Sequence, residues 1–460
     1  MKFFKFGNLL GLVALSIASP IDPQTQDLVD TSSLSTGDVT YLFTHPGFQF
    51  RRAEPLTSTP IKRAVQNHQA LIRLPHHGTR RPRHSAAALF GSVQRDIGGN
   101  GYENVTSVNH YALEYALQVV FNGIPMSVVI DSGSADTWIK SSKFHCKDNA
   151  NDTIPEKVCR LGPSFPGNFT GGPIRNQHFA IKYGDGESVQ GRLGHMDVEF
   201  AGVTVPDQEV ALASQGTWQG NNLTSGILGL AYPSLTSAYW GNDLDDDSEY
   251  LSVPYSPVFT SMVKNGLVEP YWVIAMARNS SLGAISVGGM PPIDVSKSDY
   301  EETPILITNI IPRESTAYQP SFYTIVPSGF RYGHTTATGQ YPFILDTATS
   351  LIYLPPDLAE EVNAQFDPPA TYLWYYGSYF TSCDATPPSF GIQIGQTTFW
   401  VNPKDMLNKE ERDPDTGYCQ TGIGNGGSGP YILGVNFLTN VVVSMNIGSG
   451  NVELWSHQFY

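Results

Sequence analysis

The stretch Val128-Val129-Ile130-Asp131-Ser132-Gly133-Ser134-Ala135-Asp136-Thr137-Trp138 places an acid directly after three β-branched residues. Such a run reads as a buried strand. A carboxylate carried into the interior at its end costs several kcal/mol unless donors meet it or it keeps a proton. Ser132 and Ser134 offer hydroxyls, and Gly133 lets the backbone turn tightly and aim its N–H groups inward. Alone, the pattern is equally a turn at a strand end.

A second copy changes its weight. Residues 341–354 read Tyr-Pro-Phe-Ile-Leu-Asp-Thr-Ala-Thr-Ser-Leu-Ile-Tyr-Leu, so Asp346 again follows apolar residues and precedes Thr347, Ala348 and Thr349, 215 residues after Asp131. An apolar-apolar-Gly element follows each copy, at Ile227-Leu228-Gly229 and Ile432-Leu433-Gly434. The chain therefore reads as two diverged copies of one unit. Packed face to face, they would bring the two carboxyls together at the seam.

From about Tyr111 onward the chain resembles the pepsin-like aspartic proteases. Besides the two Asp motifs, the resemblance includes Ile181-Lys182-Tyr183-Gly184-Asp185-Gly186, residues 226–233 (Gly-Ile-Leu-Gly-Leu-Ala-Tyr-Pro) and Gly288-Gly289. It implies an all-β, bilobal fold with a central cleft and a few short helices. It also implies catalysis by Asp131 and Asp346 on a peptide or protein substrate, without cofactor or metal. Tyr183, Gly184 and Asp185 would form a flap over the substrate, with the Trp138 indole holding the Tyr183 phenol. Gly133, Ser134 and Thr349 would complete the binding site. Similar fungal proteases with an acid at the place of Asp185 accept a basic residue on the amino side of the cut, so a preference for Lys beside large apolar residues is expected.

Three positions depart from the family pattern. Ala348 stands where the second motif normally has Gly; its N–H is kept, but its methyl enters a crowded region, where a small shift can slow catalysis. Ser225 and Val435 replace acids beside the two Ile-Leu-Gly elements. Two functions follow: an active acid endopeptidase, or a protease-shaped peptide-binding or inhibitor protein with an idle dyad. An unrelated secreted carbohydrate-binding β protein leaves the paired Asp motifs unexplained.

Met1 to Ala18 has Lys2 and Lys5, an apolar centre from Leu9 to Leu15 and small residues at its end, the layout of a secretory signal. No other run approaches membrane length, and the last residues lack the tail of a lipid anchor. Secretion is expected, with a vacuolar destination as the alternative, and the default assembly is a monomer. Between Pro46 and Arg95 nine Lys or Arg face one acid, whereas from Asp96 onward 16 basic residues face 37 acidic ones, a net charge of −21. A basic run in isolation suggests nucleic acid. Here the complementary partner is the chain's own acidic body, which makes residues 19–98 a prosegment that blocks the cleft until acid neutralises the carboxylates. A linker without inhibitory role is the plainer alternative. Processing is expected after Arg63 or Arg81, and the lobes are assigned to 99–300 and 301–460.

Four cysteines suit an oxidising compartment; three pairings are open, and a zinc site lacks a close Cys pair. The resemblance implies Cys146 with Cys159 and Cys383 with Cys419. Sequons at Asn104, Asn151, Asn168, Asn222 and Asn279 fit a glycoprotein. Strands are expected at 115–121, 126–131, 178–183, 194–200, 271–277 and 283–287, and a helix at 356–366 capped by Asp357. Residues 242–249 read as a solvated acidic loop, since adjacent Asp residues do not follow the alternation of a calcium loop.

Overall fold

The computed structural model describes residues 101–107, 114–245, 249–278, 283–293, 295, 299–307, 320–339 and 341–457, together with the backbone of a hairpin at 41–44 and 49–52. The expected signal segment, both dibasic sites, Asn279 and residues 246–248 of the acidic stretch lie outside these residues, as does nearly all of 19–98.

Each half is built on the same three-strand arrangement. In the first, Ile124–Asp131 runs parallel to Gly226–Gly229, with Val129 opposite Ile227 and Asp131 opposite Gly229; the second of these strands is antiparallel to Thr137–Cys146. In the second half, Phe343–Leu345 runs parallel to Tyr431–Leu433, which is antiparallel to Ile352–Leu354. The Ile-Leu-Gly strand is thus threaded between the Asp strand and the strand that leaves the Asp loop. Its glycine is demanded by that crossing. A Cβ on Gly229 would lie 2.5 Å from the carbonyl carbon of Ala135, and one on Gly434 would lie 2.3 Å from the Thr349 oxygen.

The chain is all-β with short helices, and its two lobes share a 15-stranded sheet among the described residues. From the first lobe this sheet continues through Tyr102–Ser107, Gly283–Val287 and Tyr271–Ala275 to Val441–Asn446 and Asn451–Ser456 at the end of the chain. The apolar core follows it. One cluster holds Val128, Ile130 and Leu228 from the first half, Trp272 from the crossing and Leu345, Leu433 and Leu454 from the second. A core shared in this way ties the lobes together by burial.

The expected strands are present, several with shifted ends: Ile124–Asp131, Gln177–Lys182, Ser188–Phe200 and Tyr271–Ala275. The expected helix runs from Pro356 to Asn363, shorter than 356–366, because Phe366 leaves the helical path to pack in the core. Asp357 does not cap it. Pro355 holds the cap position without a side-chain bond, and Asp357 sits in the first turn, where its charge favours the helix dipole. Among the described residues, two further α-helices, Val258–Lys264 and Val435–Leu438, were not singled out in the sequence.

Disulfides join Cys146 to Cys159 and Cys383 to Cys419, one in each half. Closing loops with separations of 13 and 36 residues contributes about 3 to 4 kcal/mol each by chain entropy. Asn104, Asn151, Asn168 and Asn222 are all exposed.

Candidate active site

Asp131 ends its strand, Asp346 directly follows the equivalent one, and the two meet at the seam. They are 4% and 7% exposed, and their side chains are hydrogen-bonded to each other. Each has the same set of donors. The Gly133 N–H reaches Asp131 Oδ1 at 2.7 Å and the Ser134 hydroxyl donates to Oδ2. The Ala348 N–H reaches Asp346 Oδ1 at 3.0 Å and the Thr349 hydroxyl donates to Oδ2 at 2.7 Å. Burial is the largest influence on both carboxyls and raises both above the usual carboxylate range, with the charge of Asp346 adding to the rise at Asp131. The donors pull the other way and do not cancel it. Two acids so placed do not readily ionise together and titrate as a pair.

The seam itself is made of hydroxyls. The Ser132 N–H donates to Thr347 Oγ1 at 3.0 Å and the Thr347 N–H to Ser132 Oγ at 3.0 Å. Ser132 Oγ donates to the Leu345 carbonyl and Thr347 Oγ1 to the Ile130 carbonyl, both at 2.8 Å. These four bonds pair off by the duplication. Ser132 therefore does not serve the Asp131 carboxyl, as the sequence suggested. It is wholly buried and reaches across to the other half.

A hairpin of Gln177–Lys182 and Ser188–Phe200 carries Tyr183, Gly184, Asp185 and Gly186 at its turn. The turn is closed by the Tyr183 N–H on the Glu187 carbonyl at 2.8 Å and the Gly186 N–H on the Tyr183 carbonyl at 3.1 Å. Gly186 takes φ +94°, which a side chain would oppose. Trp138 Nε1 donates to Tyr183 Oη at 2.8 Å. Burial pushes the Tyr183 phenol well up, and the charge of Asp131 adds to it, so the hairpin lies within the field of the dyad. Asp185 is exposed at the tip and accepts the Glu187 N–H at 2.9 Å.

Three neighbours were not read from the sequence. Trp218 stands edge-on to Trp138 at 5.1 Å and to Tyr183 at 5.6 Å. Asp136 is fully buried, where its carboxylate accepts the Ser237 N–H at 3.0 Å and the Tyr255 hydroxyl at 2.7 Å, bracing the loop that follows Asp131. Glu187 accepts the Gln219 N–H at 2.5 Å. Asp136 sits inside the decisive stretch, and a second acid five residues after Asp131 was the available signal. Trp218 and Glu187 carried none, since their partners are distant in sequence.

A duplicated β fold with one carboxyl from each half in a common site defines an aspartic-type peptidase. Consistent with that class, the family model described as eukaryotic aspartyl protease matches residues 115–456. The chain belongs to this family and is an aspartic endopeptidase. It is 35% identical over 351 residues to a probable aspartic-type endopeptidase of Aspergillus fumigatus, covering 74% of this chain and 77% of that protein. It is 27% identical to rhizopuspepsin-3 of Rhizopus niveus, over 81% and 85% of the two chains. Among solved structures, an aspartic proteinase from Irpex lacteus superposes with a TM-score of 0.57 at 18% identity, over 78% of this chain and 98% of that one. That likeness concerns the fold.

Proposed function

We propose that the protein is a secreted acid endopeptidase, made as a zymogen, in which a water held between Asp131 and Asp346 attacks the peptide bond. The ionised member of the pair takes a proton from the water as its oxygen bonds to the carbonyl carbon. The protonated member donates to the carbonyl oxygen, and collapse of the tetrahedral species breaks the C–N bond while a proton passes to the leaving nitrogen. Sharing one proton, the pair works in acid, where the acidic body also loses self-repulsion. Tyr183, held by Trp138, covers the substrate with Gly184 and Asp185; Gly133, Ser134 and Thr349 fix the carboxyls.

The observation that carries this reading is the matched donor set on two mutually hydrogen-bonded carboxyls. The idle-dyad alternative rests on Ala348, and its N–H still meets Asp346 at 3.0 Å. Residues 1–18 are assigned to the signal, the basic segment 19–98 to an intramolecular inhibitor, and 99–300 and 301–460 to the lobes of a soluble, monomeric, glycosylated enzyme.

The test is hydrolysis of denatured haemoglobin by the acidified protein, with and without pepstatin. Pepstatin-sensitive cleavage is expected, and Asp131→Asn or Asp346→Asn should each lower it by about 10²- to 10⁴-fold. Cleavage that survives either substitution, or none in the wild type at acid pH, overturns the assignment.

A further inference from the structure

Glu187 stands two residues past the flap tip, and the reaction above gives it no part. Its carboxyl bond to the Gln219 N–H joins the hairpin to the same stretch whose Trp218 packs on Tyr183. That stretch is a firm seat. The Gly220 N–H donates to the Cys159 carbonyl at 2.8 Å and the Asn222 N–H to the Arg160 carbonyl at 2.6 Å, and Cys159 is bonded to Cys146. Asn221 adds bonds from its side-chain amide to Glu114 Oε1 at 2.9 Å and from the Leu223 N–H to its own oxygen at 2.7 Å.

The charges around Glu187 are unbalanced. Asp185 acts on it from the hairpin and Glu114 from the segment before the first-lobe strands, against Arg160 from the loop after Cys159. Arg160 is also within the field of Glu411 from the second lobe, so one guanidinium answers several carboxyls.

We propose that Glu187 is a positioning residue for the flap: as a neutral carboxyl it ties the hairpin to the Trp218–Gln219 seat, and on ionisation it releases the hairpin. This rests on Tyr183 covering the substrate. Burial first, then the charge of Asp185, pushes the Glu187 carboxyl up to about 8, against the pull of the Gln219 N–H and Arg160. A group that holds its proton more tightly when latched than when solvated must favour the unlatched hairpin as pH rises. The enzyme would grip peptide in acid and let it go near neutrality, through a group outside the dyad.

The experiment is hydrogen exchange of residues 177–188 in the full chain, corrected for intrinsic rates, beside pepstatin affinity. From about pH 5 to about pH 8 the wild type should lose roughly tenfold in flap protection. Glu187→Gln keeps an oxygen for the Gln219 N–H and forms no charge, so it should hold its protection over that range. Glu187→Ala should have lost that protection already in acid. Pepstatin dissociation constants should follow the same order, with Glu187→Gln losing less affinity than the wild type as pH rises. A Glu187→Gln profile that tracks the wild type overturns the latch, as does a Glu187→Ala flap protected like the wild type in acid. Exchange is read without ligand. A chain that fails to cleave protein yet shows the rescue keeps the latch and loses the hydrolytic reading.

Discussion

The loops after Asp131 and Asp346 perform one task with different residues. In the first, Gly133 faces the opposite carboxyl so closely that a Cβ would stand 2.7 Å from Asp346 Oδ2. In the second, Ala348 carries its methyl at the matching position, half-buried against the apolar cluster that contains Trp138 and Val129. Both keep the N–H donation to their own Asp, at 2.7 and 3.0 Å. The duplication therefore constrains hydrogen bonding on both sides and space more tightly on one.

Substituting across that asymmetry should break it. Gly133→Ala must displace the Asp346 carboxyl, and a catalytic group moved by about 1 Å costs roughly 10²-fold in kcat/KM. A Gly133→Ala enzyme with wild-type kcat/KM in acid would show that the space beside Asp346 is slack.

The first half also carries a group that answers to pH. Glu209, in the first half, is pushed up to about 7, by burial and then by the charge of Asp136, from an ordinary 4.5. A carboxyl whose folded pKa is raised contributes stability that is complete below its unfolded value and lost as pH rises through the folded one. Melting temperature should therefore fall between about pH 5 and pH 8, and Glu209→Gln should recover roughly 3 to 6 °C of the loss, read by calorimetry. An unchanged slope in that variant removes Glu209 from the account.

The seam offers a finer test. Ser132→Ala and Thr347→Val each leave buried backbone partners unmatched, at about 1 to 3 kcal/mol in denaturant unfolding. Equal losses support a symmetric seam, and a difference beyond error shows which lobe depends on it more. The smallest effect belongs to Ala348→Gly. Restoring room beside the second motif should raise kcat by about two- to fivefold, since one methyl is a modest perturbation. A fall in kcat would mean that the methyl helps to hold the loop.

Much of this was legible because the signals were local and repeated. An acid after an apolar run, given twice with an Ile-Leu-Gly element after each, yielded the duplicated architecture and the dyad. The Trp138 to Tyr183 contact came through the family resemblance, and the geometry agrees with it. What stayed hidden depends on long-range pairing. A hydroxyl after Asp131 has a nearby acceptor in sequence, and nothing local says that Ser132 turns instead to Leu345, 213 residues away. Asp357 misled for the opposite reason: the helix starts at Pro356, as expected, so an acid at the next position lies inside the first turn and cannot be its cap.

The four bonds that link Ile130 and Ser132 to Leu345 and Thr347 contain no acid, amine or imidazole. Lowering the pH dissolves salt links elsewhere in a protein by discharging their carboxylates, yet it leaves amides and alcohols as they were. This seam is consequently indifferent to acidity. Acidity can adjust the occupancy of the dyad's proton without moving the axis that holds its two carboxyls in place.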